Sequence, residues 1–97
     1  MDLATITAGV AERAGKAPAL GSTLKFDFGG DVIFIDGNNG NAVSNDDNEA
    51  DCTVKVSKED FIALSTGDLN PMMAFMGGQI QVSGDMSVAM QLQSLFE

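Results

Sequence analysis

Histidine, tryptophan and tyrosine are absent from this sequence. Without histidine, the commonest general base and the commonest metal ligand are both missing. There is a single cysteine, Cys52. It cannot staple the chain, so nothing requires an oxidising compartment, and no imidazole is present to activate it as a nucleophile. Its alternation with Val54 and Val56 predicts a buried structural thiol. Basic residues are scarce: 5 Lys and Arg stand against 14 Asp and Glu, a formal net charge of −9. No stretch gathers more than two basic side chains, so nucleic acid is not an expected partner, and anionic headgroups are disfavoured. No apolar run approaches the roughly 18 residues of a membrane span, and Met1-Asp2-Leu3-Ala4 lacks the positive start of a secretory signal. The acidic set Asp46, Asp47, Glu49 and Asp51 lacks the glycine and final glutamate of a calcium loop. The glycine pairs at 29-30 and 77-78 lack the companions of a phosphate loop. No enzyme activity, metal or cofactor is therefore expected, and the cytoplasm is the expected location.

What remains is a chain of 97 residues, 44% of them hydrophobic, which predicts one domain over residues 1–97 with one modest core. Leu3, Ile6, Val10 and Arg13 recur at helical spacing, with Gly15 as a stop and Pro18 beyond. Thr23 to Phe28 alternates polar and apolar, Gly29-Gly30 is a two-residue hairpin signal, and Val32-Ile33-Phe34-Ile35 is apolar on both faces, as in a covered central strand. A polar connection follows from Asp36 to Asp51, with room for a short strand at Ala42-Val43. Cys52 to Val56 alternates as a strand. Ser57 and Asn70-Pro71 read as helix starts, Gly67 and Gly77-Gly78 as helix stops, and Gln79 to Val82 as another strand. Gly84-Asp85 then leads into a last helix over about Met86–Phe96. The order predicts an α+β fold with a single mainly antiparallel sheet, about five-stranded, covered by helices.

Met86, Val88, Ala89, Met90, Leu92, Leu95 and Phe96 would cover an arc of roughly 220° on that last helix, wider than a surface helix needs. Methionine concentrates nearby, with Met72, Met73, Met76, Met86 and Met90 in one third of the chain. Two readings stand: a core short of aromatics, or an adaptable surface for flexible apolar ligands. A third use of the apolar helix is a homodimer or partner-docking surface, making the chain a protein-interaction module.

The succession Ala50-Asp51-Cys52-Thr53, Asp60-Phe61-Ile62-Ala63-Leu64, Thr66-Gly67, Leu69-Asn70-Pro71, Ala74-Phe75, Gly78-Gln79-Ile80, Ser83-Gly84-Asp85-Met86 and Ala89-Met90-Gln91-Leu92 resembles the sterol carrier protein type-2 domain, most closely over residues 50 to 96. The resemblance implies a five-stranded sheet with an internal hydrophobic tunnel for fatty acids, fatty acyl-CoA or sterol-like lipids, bound and transferred or stored without chemistry. Phe75, Met76, Met86 and Met90 match stretches that border the family's cavity. Phe34, Phe61, Leu64, Met72, Ile80 and Val82 complete the expected lining. The helices Ser57–Thr66 and Asn70–Met76 would serve as a lid hinged at Gly67 and Gly77-Gly78. Two departures qualify the likeness. Gln79, Gln81 and Gln91 stand where relatives often carry lysine, and Leu95-Phe96-Glu97 is not a peroxisomal signal. The expectation is a free-standing carrier, monomeric or weakly dimeric, with at most transient membrane contact.

Overall fold

Asp2 opens the first helix: its carboxylate accepts a hydrogen bond from the Thr5 N–H at 2.9 Å. Helix α1 spans Leu3–Lys16, running through Gly15 and ending at Ala17, which is extended at φ −88°, ψ 155°. Pro18 explains that boundary, since its ring excludes the helical conformation from the residue before it. The computed structural model, which describes residues 2–91, continues with β1 (Thr23–Asp27), β2 (Val32–Asp36), β3 (Ala42–Ser44) and β4 (Cys52–Lys55). Helices α2 (Lys58–Thr66) and α3 (Pro71–Met76), strand β5 (Gln81–Gly84) and helix α4 (Met86–Met90) follow.

The β1–β2 hairpin turns on the expected glycine pair. Phe28 N–H donates to the Asp31 carbonyl at 2.9 Å, leaving Gly29 and Gly30 at the tip, with Gly29 at φ +91°. Helix starts and stops also fall where side-chain chemistry puts them. Ser57 caps α2 through the Asp60 N–H, Gly67 ends it in the left-handed conformation, and Asn70 caps α3 ahead of Pro71. Strand β5 begins at Gln81, two residues later than its alternation suggests. The Gln79 and Ile80 N–H groups are still engaged by the Ala74 carbonyl at the end of α3. Helix α4 is capped by Asp85 and described to Met90, with Gln91 as its C-cap. The continuation expected to Phe96, including Leu92 and Leu95, lies outside the described residues.

The five strands form one open sheet in the order β3-β2-β1-β4-β5. Pairings β1–β2, β2–β3 and β4–β5 are antiparallel, whereas β1 and β4 run parallel with Leu24 opposite Cys52. All four helices cover the same face. Ile6, Val10 and Ala14 of α1, Phe61 and Leu64 of α2, Ala74 of α3 and Val88 of α4 join Leu24, Phe26, Ile33, Ile35, Cys52 and Val54 in one buried cluster. Strand alternation puts Lys25 and Phe34, cross-strand neighbours, on the opposite face. The β3-to-β4 connection covers that side. It has to pass β2 and β1 to bring the chain beside β1, and Lys25 Nζ meets Asp47 at 2.9 Å while Asn45 Nδ2 donates to the Val32 carbonyl at 2.9 Å. Strand β2 is thus covered on both sides, as its four successive buried residues require.

One buried polar side chain ties helix to sheet. Asn41, at φ 59°, accepts from Leu20 N–H at 3.0 Å and donates to the Ala14 and Pro18 carbonyls, each at 3.1 Å. Asparagine tolerates this left-handed backbone, and its amide can satisfy donor and acceptor together. The bond to Ala14 occupies a carbonyl in the last turn of α1.

Candidate functional site

The helix-covered face is most aromatic where α2 meets β1. Phe61 packs edge-to-face with Phe26 at 4.9 Å between centroids and with Phe28 at 5.3 Å. Leu64 lies one turn further along α2, also buried, and Ile80 enters the same cluster from the approach to β5. Val82 is half-buried, packs on that cluster and stands opposite Val54. Four of the expected lining residues, Phe61, Leu64, Ile80 and Val82, are therefore brought together between helices and sheet. Phe34 is buried too, but on the opposite face, outside this cluster.

The other expected residues occupy a different environment. Met72, Phe75, Met76, Met86 and Met90 present their side chains outward, Met76 at 78% and Met90 at 77% exposure. Helix α3 touches the core through Ala74, its one buried residue, and the described part of α4 through Val88 with Ala89 beside it. Met73, absent from the expected set, is 68% exposed beside them. Sequence periodicity locates these short apolar helices; which residue points inward depends on the sheet beneath them.

At the end of the sheet lies an open cleft of about 390 Å³ whose walls include Phe28, Lys55, Gln79 and Gln81. None of the expected lining residues borders it. Phe28 was readable in principle, because it continues the inward period of Leu24 and Phe26, and it links this cleft to the aromatic cluster through Phe61.

The Cys52 thiol and the Asp85 carboxylate depart from their ordinary titration, each for a local reason. Burial raises the Cys52 thiol above its ordinary value, and the nearby Asp85 carboxylate adds to the rise, so the group stays protonated. Asp85 is held below the usual carboxylate range by hydrogen bonds from Ser87, as its capping role requires. Among the described residues no cluster of three or more Cys, Asp or Glu side chains is placed to hold a metal ion.

Comparison with known proteins places this architecture. The SCP-2 sterol transfer family matches over residues 5–97. Sterol carrier protein 2 of Homo sapiens is 41% identical over 64 residues, which are 66% of this chain and 12% of that protein. The chain thus spans about 12% of the length of this curated relative. Hydroxysteroid dehydrogenase-like protein 2 of Bos taurus is 38% identical over 47 residues, covering 48% of this chain and 11% of that protein, so a similar stretch occurs within a much longer dehydrogenase-like protein. Among solved structures, palmitated sterol carrier protein 2 like 2 from Aedes aegypti superposes with a TM-score of 0.78 at 24% identity, covering 100% of this chain and 96% of that one. That likeness establishes the fold.

Proposed function

This chain belongs to the SCP-2 sterol transfer family, and we propose that residues 1–97 act as one lipid-binding domain that carries or stores a long-chain lipid without chemical change. The cargo classes are fatty acids, fatty acyl-CoA and sterol-like molecules, and the relative from Aedes aegypti is described as palmitated. The observation that carries the reading is the contrast within the helical layer. Phe61, Leu64, Ile80 and Val82 form a fixed apolar wall on the sheet, while α3 buries Ala74 alone and, among the described residues, α4 buries Val88 with Ala89 packed beside it. Such weakly anchored helices can yield to an incoming chain. Met72, Phe75, Met76, Met86 and Met90, long or flexible and free to repack, then supply the movable wall, and Gly67 and Gly77-Gly78 bound the segment that moves.

The driving force is desolvation. Each buried methylene contributes about 0.8 kcal/mol, so some fifteen of them give about 12 kcal/mol, within the roughly 4–15 kcal/mol that association costs. Long acyl chains or fused rings are therefore favoured over short ones. A cytoplasmic setting fits the single buried thiol of Cys52.

Thermal unfolding in the presence of palmitate, an acyl-CoA and a sterol tests this. At ligand about a hundredfold above Kd, mass action adds about 2.7 kcal/mol. At about 4–8 °C per kcal/mol, Tm should rise by roughly ten degrees or more for at least one of the three. An unchanged Tm with all three overturns the carrier reading.

A further inference from the structure

The charged side chains of this molecule are unevenly distributed. Its net charge is −9, yet residues 69–84 contain no Asp, Glu, Lys or Arg, and Asp85 is the one charge between residues 69 and 96. Helix α3 lies inside this neutral stretch. At about 100° per residue, Met72, Met73, Phe75 and Met76 spread over an arc of about 160° whose midpoint lies opposite Ala74. Ala74 is fully buried and the other four are exposed. The helix is therefore a convex apolar ridge standing on a small inward residue, with the uncharged polar residues Asn70 and Gln79 at its two ends.

We propose that α3 is a docking surface for an uncharged, zwitterionic lipid bilayer, where Met72, Met73, Phe75 and Met76 enter the headgroup–acyl boundary. The proposal rests on the lipid-carrier reading and adds where the donor or acceptor membrane is met. Three observations select this occupant. An apolar ridge without charge gains nothing from an anionic surface, which the acidic remainder of the chain repels, but it loses nothing at a zwitterionic one. The ridge is convex and rich in unbranched thioethers, which suits a fluid interface more than a shaped protein pocket. Its size also argues against a second copy. Stable protein interfaces take roughly 20–30 residues a side, whereas α3 has 6 residues. Two chains of −9 would in addition repel each other as they approach.

The test is flotation of the full chain with phosphatidylcholine vesicles, and with vesicles containing phosphatidylserine. Met73→Glu is the decisive variant, because Met73 is exposed and lies outside the proposed cargo wall. The unmodified protein should float with phosphatidylcholine, and Met73→Glu should lower the bound fraction by about tenfold, as expected for moving a charge into the interface. Binding of a fluorescent fatty acid in solution, without vesicles, should be the same for both. Met73→Lys should shift preference towards the phosphatidylserine vesicles. Equal flotation of Met73→Glu and the unmodified chain overturns the proposal, as does absence of flotation with phosphatidylcholine. A dimer in sedimentation velocity that Met73→Glu dissociates, without any vesicle association, overturns it in favour of a second copy. If fatty acid binding fails while Met73-dependent flotation persists, the cargo reading falls and the docking surface stands.

Discussion

Helices α1 and α3 cover the same sheet face, but the fold holds them by different means. Helix α1 is 14 residues long and buries Ile6, Val10 and Ala14 at four-residue intervals. Asn41 engages a carbonyl in its last turn, and the Arg13 guanidinium donates to the Ser65 carbonyl at 2.7 Å, bracing it against α2. Helix α3 has 6 residues and buries Ala74 alone, while its largest side chains face water. Apolar content does not decide which is better anchored, since every residue of α3 is apolar whereas α1 carries Thr, Glu, Arg and Lys. What differs is how many side chains meet the sheet. Hydrophobicity confined to a short helix produces an exposed apolar surface, whereas hydrophobicity spread at helical period produces an anchor.

Three substitutions probe this contrast. The largest loss is expected at Ile6→Ala, which opens a cavity under α1 and should cost about 2–5 kcal/mol in urea unfolding. A cost below about 1 kcal/mol would mean that α1 is held no better than α3. Next comes Asn41→Ala, which strands the Leu20 N–H, removes the side-chain donor to the Pro18 carbonyl, and leaves the Ala14 carbonyl with only the Ala17 N–H. At about 1–3 kcal/mol for a buried group left unpaired, the loss should be in that range, with hydrogen exchange accelerating first in the last turn of α1. Exchange accelerating equally in α3 would show that the two helices unfold as one unit. The smallest change belongs to Met76→Ala. Despite removing a large apolar side chain, it should leave stability within about 0.5 kcal/mol, because that side chain is already in water. A loss above about 2 kcal/mol would show that Met76 is packed in solution and dissolve the contrast.

The parts of this molecule that could be read from the chain are those decided within a few residues. Ser57, Gly67, Asn70 and Asp85 act as caps or stops because the groups they satisfy lie within one helical turn. Gly29-Gly30 gives the hairpin tip for the same local reason. The helical start of the chain was legible too, but Pro18, more than Gly15, decides where it ends. The shift of β5 was not legible, because it depends on the Ala74 carbonyl holding Gln79 and Ile80. Nor was the parallel β1–β4 pairing, for alternation gives each strand its inner face but not its neighbour. The candidate site divides in the same way. Phe61, Leu64 and Ile80 belong to amphipathic patterns and reach the core. In α3 every position is apolar, so no pattern could mark Ala74 as the inward one and set Met72, Phe75 and Met76 outward.

The parallel seam between β1 and β4 carries a consequence for how the chain reaches its native state. On one side of it, α1, β1, β2 and β3 join mostly through neighbouring segments; on the other, β4, α2, α3, β5 and α4 do so too. The seam itself unites positions far apart. Thr23 N–H donates to the Asp51 carboxylate at 3.0 Å and Asp51 N–H returns a bond to the Thr23 hydroxyl at 2.8 Å, across 28 residues. Closing such a loop costs entropy before any pairing repays it, so the meeting of the two halves is expected to be slower than the pairing within each. Gly84 adds a steric condition to the junction. At φ +98°, it lies so close to the Asp51 carbonyl that a Cβ there would come within 2.2 Å. The β5 strand thus pairs with β4 only where a residue without a side chain passes over the Asp51 carbonyl, so Gly84 fixes the registry of β5 within its own half of the chain, whether or not the seam has closed.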